Sequence, residues 1–293
     1  MGLKDRAPRW VKDVANVATR QYAAATSRWR PWPDFLLIGT KRGGTTSLFN
    51  YLLQHPGILG MFPQARGLKS PAYFFEHFAR GESWYRSHFH TSAYRSTAAR
   101  RLGYRPLSGE SSPYYLYDPR IAARVANAMP SVKIIVLLRH PVKRAFSQYQ
   151  DNVQNGLEPL SFEDALAAEP ARVEGELERI SADPFAYSFA HDFFSYRDRG
   201  VYLPQLERWY DALPESQLLV LPSEAFYADE QAVFDQTCSF LGLPPYALPR
   251  KERRNHVPAP KMNDATWAEL CDFYAPHNEE VAKRLGPAFS WPT

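Results

Sequence analysis

Short apolar runs alternate with longer stretches of helical periodicity along most of this chain. Phe35-Leu-Leu-Ile38 stops at Gly39, Lys133-Ile-Ile-Val-Leu-Leu138 stops at Arg139-His140-Pro141, and Leu218-Leu-Val-Leu221 stops at Pro222. Runs of this length, closed by turn residues, read as strands buried on both faces. The segments between them repeat at helical spacing. Leu48, Tyr51 and Leu52 share one side of residues 45–54, and a second helix follows Pro141 to about Asn155. Further amphipathic helices are predicted over 119–128, 161–168, 203–211, 230–241 and 264–285. Buried strands alternating with helices predict an α/β fold, a single domain with a mainly parallel central sheet flanked by helices. Ligands of such sheets lie at the carboxyl ends of the strands.

The bulk properties narrow this picture only slightly. The chain has 293 residues, enough for one large core, with 45% hydrophobic and 23% charged residues. A formal charge of +4 is too weak to argue for nucleic acid but suits a small polyanion. Cys238 and Cys271 are the two cysteines, which is no disulfide framework. Two buried thiols in a reducing cytoplasm are expected, with a single bridge left open. No stretch approaches the roughly 20 apolar residues of a membrane span, and no secretory signal is visible. Residues 1–33 read as a basic helical extension ahead of a domain over 34–293. The extension sets Trp10, Val11, Val14, Val17 and Tyr22 among Lys4, Arg6, Arg9, Lys12, Arg20, Arg28 and Arg30. That pattern suits a helix packed on the domain, and leaves room for a peripheral membrane contact.

Chemistry concentrates where two strands end. After the first comes Gly39-Thr-Lys-Arg-Gly-Gly-Thr-Thr-Ser47. Gly43 and Gly44 allow close backbone approach. Thr45, Thr46 and Ser47 would offer N–H groups at a helix start, where phosphates bind, and Lys41 and Arg42 add positive charge. Gly39 and Gly44 have the spacing of a nucleotide-triphosphate loop, but Thr45 stands where that loop carries its Lys. After the second strand comes Arg139-His-Pro-Val-Lys-Arg144 with Ser147 two helical turns on. Arg139 can pair bidentately with a phosphate, and Ser147 can donate its hydroxyl to the same group.

These two segments resemble those of sulfotransferases that use 3′-phosphoadenosine 5′-phosphosulfate (PAPS), most closely the bacterial and heparan-sulfate-type carbohydrate group. The family's 5′-phosphosulfate loop runs Lys-x-Gly-Thr-Thr, matched here by Arg42-Gly43-Gly44-Thr45-Thr46. Its 3′-phosphate element is matched by Arg139 and Ser147. Ser108-Gly-Glu110 through Pro119, Arg199-Gly-Val-Tyr202 through Trp209, and the basic segment Arg253-Arg254 continue the likeness over about residues 34–293. The resemblance implies a P-loop-like sulfotransferase fold and transfer of a sulfuryl group from PAPS, leaving the product 3′-phosphoadenosine 5′-phosphate, without a metal. The acceptor it implies is a small molecule or glycan bearing a hydroxyl or amine.

Two departures stand out. Arg42 occupies the family's catalytic Lys position, and an Arg stabilises charge but is a poor proton donor. Either Arg42 works electrostatically or Lys41 reaches in. The family's base segment is matched by Lys69-Ser-Pro-Ala-Tyr-Phe-Phe75, where Ser70 and Ala72 replace the usual Glu and His. Glu110 leads the remaining candidates for the base, followed by Asp151, Glu76, His77, His88 and His90. Two other readings stay open, a P-loop kinase or NTPase and a nucleotide-binding relative without catalysis.

Overall fold

The computed structural model describes residues 9–63, 67–249 and 261–291, with side chains from residue 17 onward. Five strands form one parallel sheet in the order β2-β3-β1-β4-β5, with β1 at Phe35–Leu37, β2 at Ile58–Leu59, β3 at Leu107–Ser111, β4 at Lys133–Leu138 and β5 at Leu218–Pro222. The three apolar runs of the sequence are β1, β4 and β5. Alternate residues of the central strands feed opposite layers, as the pleat requires. Leu36, Ile134 and Val136 pack with Tyr115, Tyr202 and Trp209, while Phe35, Leu37, Ile135 and Leu137 pack with Leu48, Phe49, Phe226 and Phe234. Each layer is a set of helices, so both faces of the sheet are covered.

The apolar pattern misses β2 and β3. β3 reads Leu-Ser-Gly-Glu-Ser and is buried throughout. It sits there because its neighbours accept it. Phe35 covers Gly109 so closely that an added Cβ would lie 2.4 Å from the ring, and Glu110 finds hydroxyl donors inside the core. Predicted helices appear at Thr45–Leu52, Ile121–Ala128, Pro141–Gln154, Phe162–Val173, Leu203–Ala212, Glu230–Leu241 and Asp264–Leu285. The long last helix and Pro141–Gln154 enclose a third apolar cluster around Tyr196 and Tyr274. Cys238 and Cys271 are free and buried in separate clusters.

Ahead of the sheet, helix Arg9–Ala25 lies on the body through Ala23, which is fully buried. Arg20 donates to the Phe62 carbonyl at 3.3 Å, and buried Arg30 donates to that of Phe89. No described helix is long and apolar enough to cross a membrane.

Candidate active site

The turn from β1 into helix Thr45–Leu52 is shaped by three glycines. At Gly39 an added Cβ would lie 1.9 Å from the Leu137 amide nitrogen, so nothing larger fits between this turn and β4. At Gly43 it would meet the Thr40 carbonyl oxygen at 2.9 Å, and the Ser223 hydroxyl donates to the Gly43 carbonyl at 2.6 Å. Gly44 has φ of +93° and caps the helix. Helix starts leave N–H groups without helical partners, and here Thr45, Thr46 and Ser47 line a cavity of about 390 Å³. Lys41, Arg42, Lys69 and Arg139 line the same cavity. Helix-start N–H groups and four cations together suit an anion.

Its neighbouring cations point in different directions. Arg42 has φ of +70°, a left-handed conformation uncommon for a side-chain-bearing residue. From there its Nε donates to the Ser147 hydroxyl at 3.1 Å and its Nη1 to Asp151 at 2.9 Å, both on helix Pro141–Gln154. Lys41 turns to helix Phe189–Phe193 instead. Its Nζ lies 3.4 Å from Asp192 Oδ1, 3.3 Å from the Asp192 carbonyl oxygen and 3.8 Å from the centroid of the Phe193 ring. Burial brings the Lys41 ammonium down to about 8; the Asp192 carboxylate partly offsets this, and Arg199 adds to it. Lys69 donates to the Thr46 hydroxyl at 2.8 Å, and burial lowers its ammonium too.

At the end of β4, Arg139 Nη1 donates to the Arg42 carbonyl at 2.9 Å, which ties the two strand ends together. Arg139 and Ser147 also line a second cavity of about 440 Å³ with Lys143, Phe146, Lys261 and Trp267. The two cavities thus share a wall. Arg144 does not reach either. It is fully buried and donates to Gln148 on its own helix and to the Tyr196 carbonyl, holding that helix to the segment after Phe189–Phe193.

Of the predicted site residues, Lys41, Arg42, Gly44, Thr45, Thr46, Ser47, Arg139 and Ser147 come together around the first cavity. Gly43 shapes the turn behind it. Arg253 and Arg254 lie outside the described residues. Glu110, the leading candidate for the base, does not join them. It is fully buried and lines neither cavity. Ser70 donates to one oxygen at 2.6 Å, and Tyr85 and Tyr115 donate to the other. Burial holds its carboxyl up at about 7, against the pull of those three hydroxyls. A carboxylate wrapped this way anchors the Lys69–Ala72 turn through Ser70, whose hydroxyl also accepts from the Ala72 N–H.

His88 and His90 are buried, and neither they nor Glu76 and His77 line the first cavity. Among the described residues, Asp151 is the cavity's one carboxylate. Asp192 escaped the sequence reading, and Arg199 entered it only as the first residue of a matching segment. Lys41 and Asp192 stand 151 positions apart, and the one local signal is the aromatic density of Phe185 to Phe194. Among the described residues no group of His, Cys, Asp and Glu could hold a metal ion.

Comparison with known proteins places the chain among relatives. The model of the sulfotransferase family matches residues 33–247. The membrane-associated sulfotransferase kil1 of Dictyostelium discoideum is 25% identical over 88% of this chain and 66% of its own length. The human bifunctional heparan sulfate N-deacetylase/N-sulfotransferase 3 is 28% identical over 88% of this chain and 31% of its own length. The chain therefore spans about two-thirds of the first relative and a third of the second. Among solved structures, a sulfotransferase from Alicyclobacillus acidocaldarius superposes with a TM-score of 0.63, at 29% identity, covering 87% of this chain and 96% of that one.

Proposed function

The chain belongs to the sulfotransferase family, and from that premise we propose that it transfers a sulfuryl group from PAPS to a hydroxyl or amine of a carbohydrate, glycolipid or other small acceptor. One observation carries the reading: two cavities lined by cations, at the ends of β1 and β4, share a wall made by Arg139 and Ser147. A nucleotide with phosphates at both its 5′ and 3′ positions needs such a pair. The residues present fit that donor. Lys41, Lys69 and the helix-start N–H groups of Thr45, Thr46 and Ser47 would hold the 5′ end. Arg139 and Ser147 would hold the 3′-phosphate, with the apolar Trp267 and Phe146 beside it for the base.

When bound, the donor supplies the sulfuryl group and a phosphate that leaves with negative charge. The protein's share is to meet that charge. Lys41, titrating near 8, carries both a charge and a transferable proton at neutral pH. Arg42 adds charge without a proton, so the loop divides the work between adjacent residues. Asp151 is the carboxylate within the cavity, and it lies 2.9 Å from Arg42 Nη1.

The test is sulfate transfer from labelled PAPS to a panel of sugar, glycolipid and amine acceptors, with and without Mg²⁺. Metal-independent transfer supports the reading. Hydrolysis of ATP that requires Mg²⁺ would replace it with the NTPase reading, and tight nucleotide binding without transfer to any acceptor would favour the non-catalytic one.

A second reading concerns location. We assign residues 1–33 to an extension that touches membrane surfaces. The family match beginning at residue 33 supports the boundary. The outward side chains of Val17, Tyr22 and Trp29 are 59%, 54% and 53% exposed, beside Arg28, whose guanidinium lies 4.2 Å over the Trp29 ring. Apolar and aromatic groups flanked by cations suit an anionic lipid surface. Co-sedimentation with phosphatidylserine vesicles, lost in Trp29→Ser, checks it.

A further inference from the structure

We propose that Asp192 is the positioning residue for Lys41, fixing the ammonium beside the phosphate loop in its charged form. The proposal rests on the reading of Lys41 as the proton-bearing cation of sulfuryl transfer.

Its geometry is specific. Two consecutive residues of helix Phe189–Phe193 supply three contacts to one nitrogen: the Asp192 carboxylate at 3.4 Å, the Asp192 carbonyl at 3.3 Å and the Phe193 ring at 3.8 Å. Lysine ordinarily keeps several rotamers open. Here its side chain is 14% exposed and the contacts select one direction. Asp192 is itself braced. Its Oδ1 also accepts from Arg199 at 3.2 Å, and the Tyr187 hydroxyl donates to Oδ2 at 3.0 Å. Arg199 is 1% exposed and lies 4.6 Å over the Tyr117 ring, so it cannot swing away to release the carboxylate.

The charges facing Lys41 come from four directions. Arg42 adjoins it on the loop, Lys69 lines the same cavity, Asp151 approaches from helix Pro141–Gln154, and Asp192 with Arg199 closes the far side. Burial and Arg199 both favour the neutral amine. Asp192 is the nearest group opposing them, while Asp151 is already paired with Arg42. Removing the Asp192 charge leaves a desolvated amine beside a buried guanidinium, and such an amine loses its proton in the neutral range.

Competitive acetylation tests this directly. Acetic anhydride reacts only with neutral amines, so the pH profile of Lys41 labelling, read by peptide mass spectrometry, gives its titration midpoint without any turnover. The wild type should give a midpoint near 8. Asp192→Asn should lower it by about one pH unit or more, and Asp192→Glu should restore most of the shift. Should Asp192→Asn fail to fold, Asp192→Ser keeps a hydroxyl for Tyr187 and Arg199 and makes the same prediction. In turnover, the alkaline fall of kcat should move to lower pH with the labelling midpoint, while affinity for 3′-phosphoadenosine 5′-phosphate changes by less than about threefold. An unchanged Lys41 midpoint in the charge-removing variants overturns the proposal. So does an equal loss of kcat at pH 6 and pH 8, which marks a merely structural role. Wild-type protein that labels as expected but transfers no sulfate strikes the sulfotransferase reading and leaves the Asp192–Lys41 pairing standing.

Discussion

At single residues, charge and burial oppose each other, and the site depends on which wins. Arg42 keeps a left-handed backbone and a half-exposed side chain bonded to Asp151 and to Ser147, which lines both cavities. Arg42→Ala should therefore weaken binding of 3′-phosphoadenosine 5′-phosphate by about 1.5–3 kcal/mol, the range of a charged hydrogen bond. Calorimetry on wild type and variant reads it, and unchanged affinity would take Arg42 out of the site. Glu110 poses the converse case. Its carboxyl titrates at about 7 in the fold and at the ordinary 4.5 when unfolded. The folded state thus holds the extra proton between those pH values, so wild-type stability falls as pH rises from 4.5 to 7 and levels off above. At about 1.4 kcal/mol per pH unit, the loss is on the order of 2–4 kcal/mol. Glu110→Gln should flatten this dependence and gain most over wild type at pH 8, as urea unfolding at a series of pH values would show. Sulfate transfer should survive that substitution, because Glu110 lies below the cleft and not in it. The sequence marked Glu110 by its place in a matching segment, but whether a carboxylate lines a cleft or lies beneath it is decided by neighbours remote in the chain. Tyr85 is one such neighbour.

Elements bring these residues to their places through contacts that tolerate little change. The end of β1 passes β4 with no space for a side chain at Gly39. Gly39→Ala must push the two central strands apart, and overpacking of this kind costs about 1–3 kcal/mol. Urea unfolding should show that loss, accompanied by weaker nucleotide binding because Thr45–Ser47 shift with the turn. Stability within about 0.5 kcal/mol of wild type would mean the turn relaxes freely. Most elements were legible because apolar runs and helical spacing are local properties. β1, β4, β5 and the helices around them follow from those patterns. β3 was not legible, since its Ser, Gly and Glu are buried only by virtue of hydroxyl donors and a Phe35 ring supplied from elsewhere.

Across the whole molecule, strand ends separated by almost a hundred residues meet through the Arg139–Arg42 hydrogen bond, so a ligand spanning both cavities should stabilise the fold as one unit. At a concentration of about 100 times its Kd, 3′-phosphoadenosine 5′-phosphate should add roughly 2.7 kcal/mol. AMP at the same concentration, lacking the 3′-phosphate, should raise the melting temperature far less. Equal shifts in a thermal scan would remove Arg139 and Ser147 from the 3′-phosphate role. The sequence by itself determined the α/β alternation, the glycine-shaped turn and the two cationic segments that follow strands, because each is written within a few consecutive residues. Only the tertiary structure decided that Lys41 and Arg42 part company, one toward Asp192 and the other toward Ser147 and Asp151. It likewise buried Glu110 beneath the cleft and brought Phe189–Phe193 against the phosphate loop. Adjacent side chains share a backbone but not an environment, and the direction each takes is set by partners that folding delivers from distant parts of the chain.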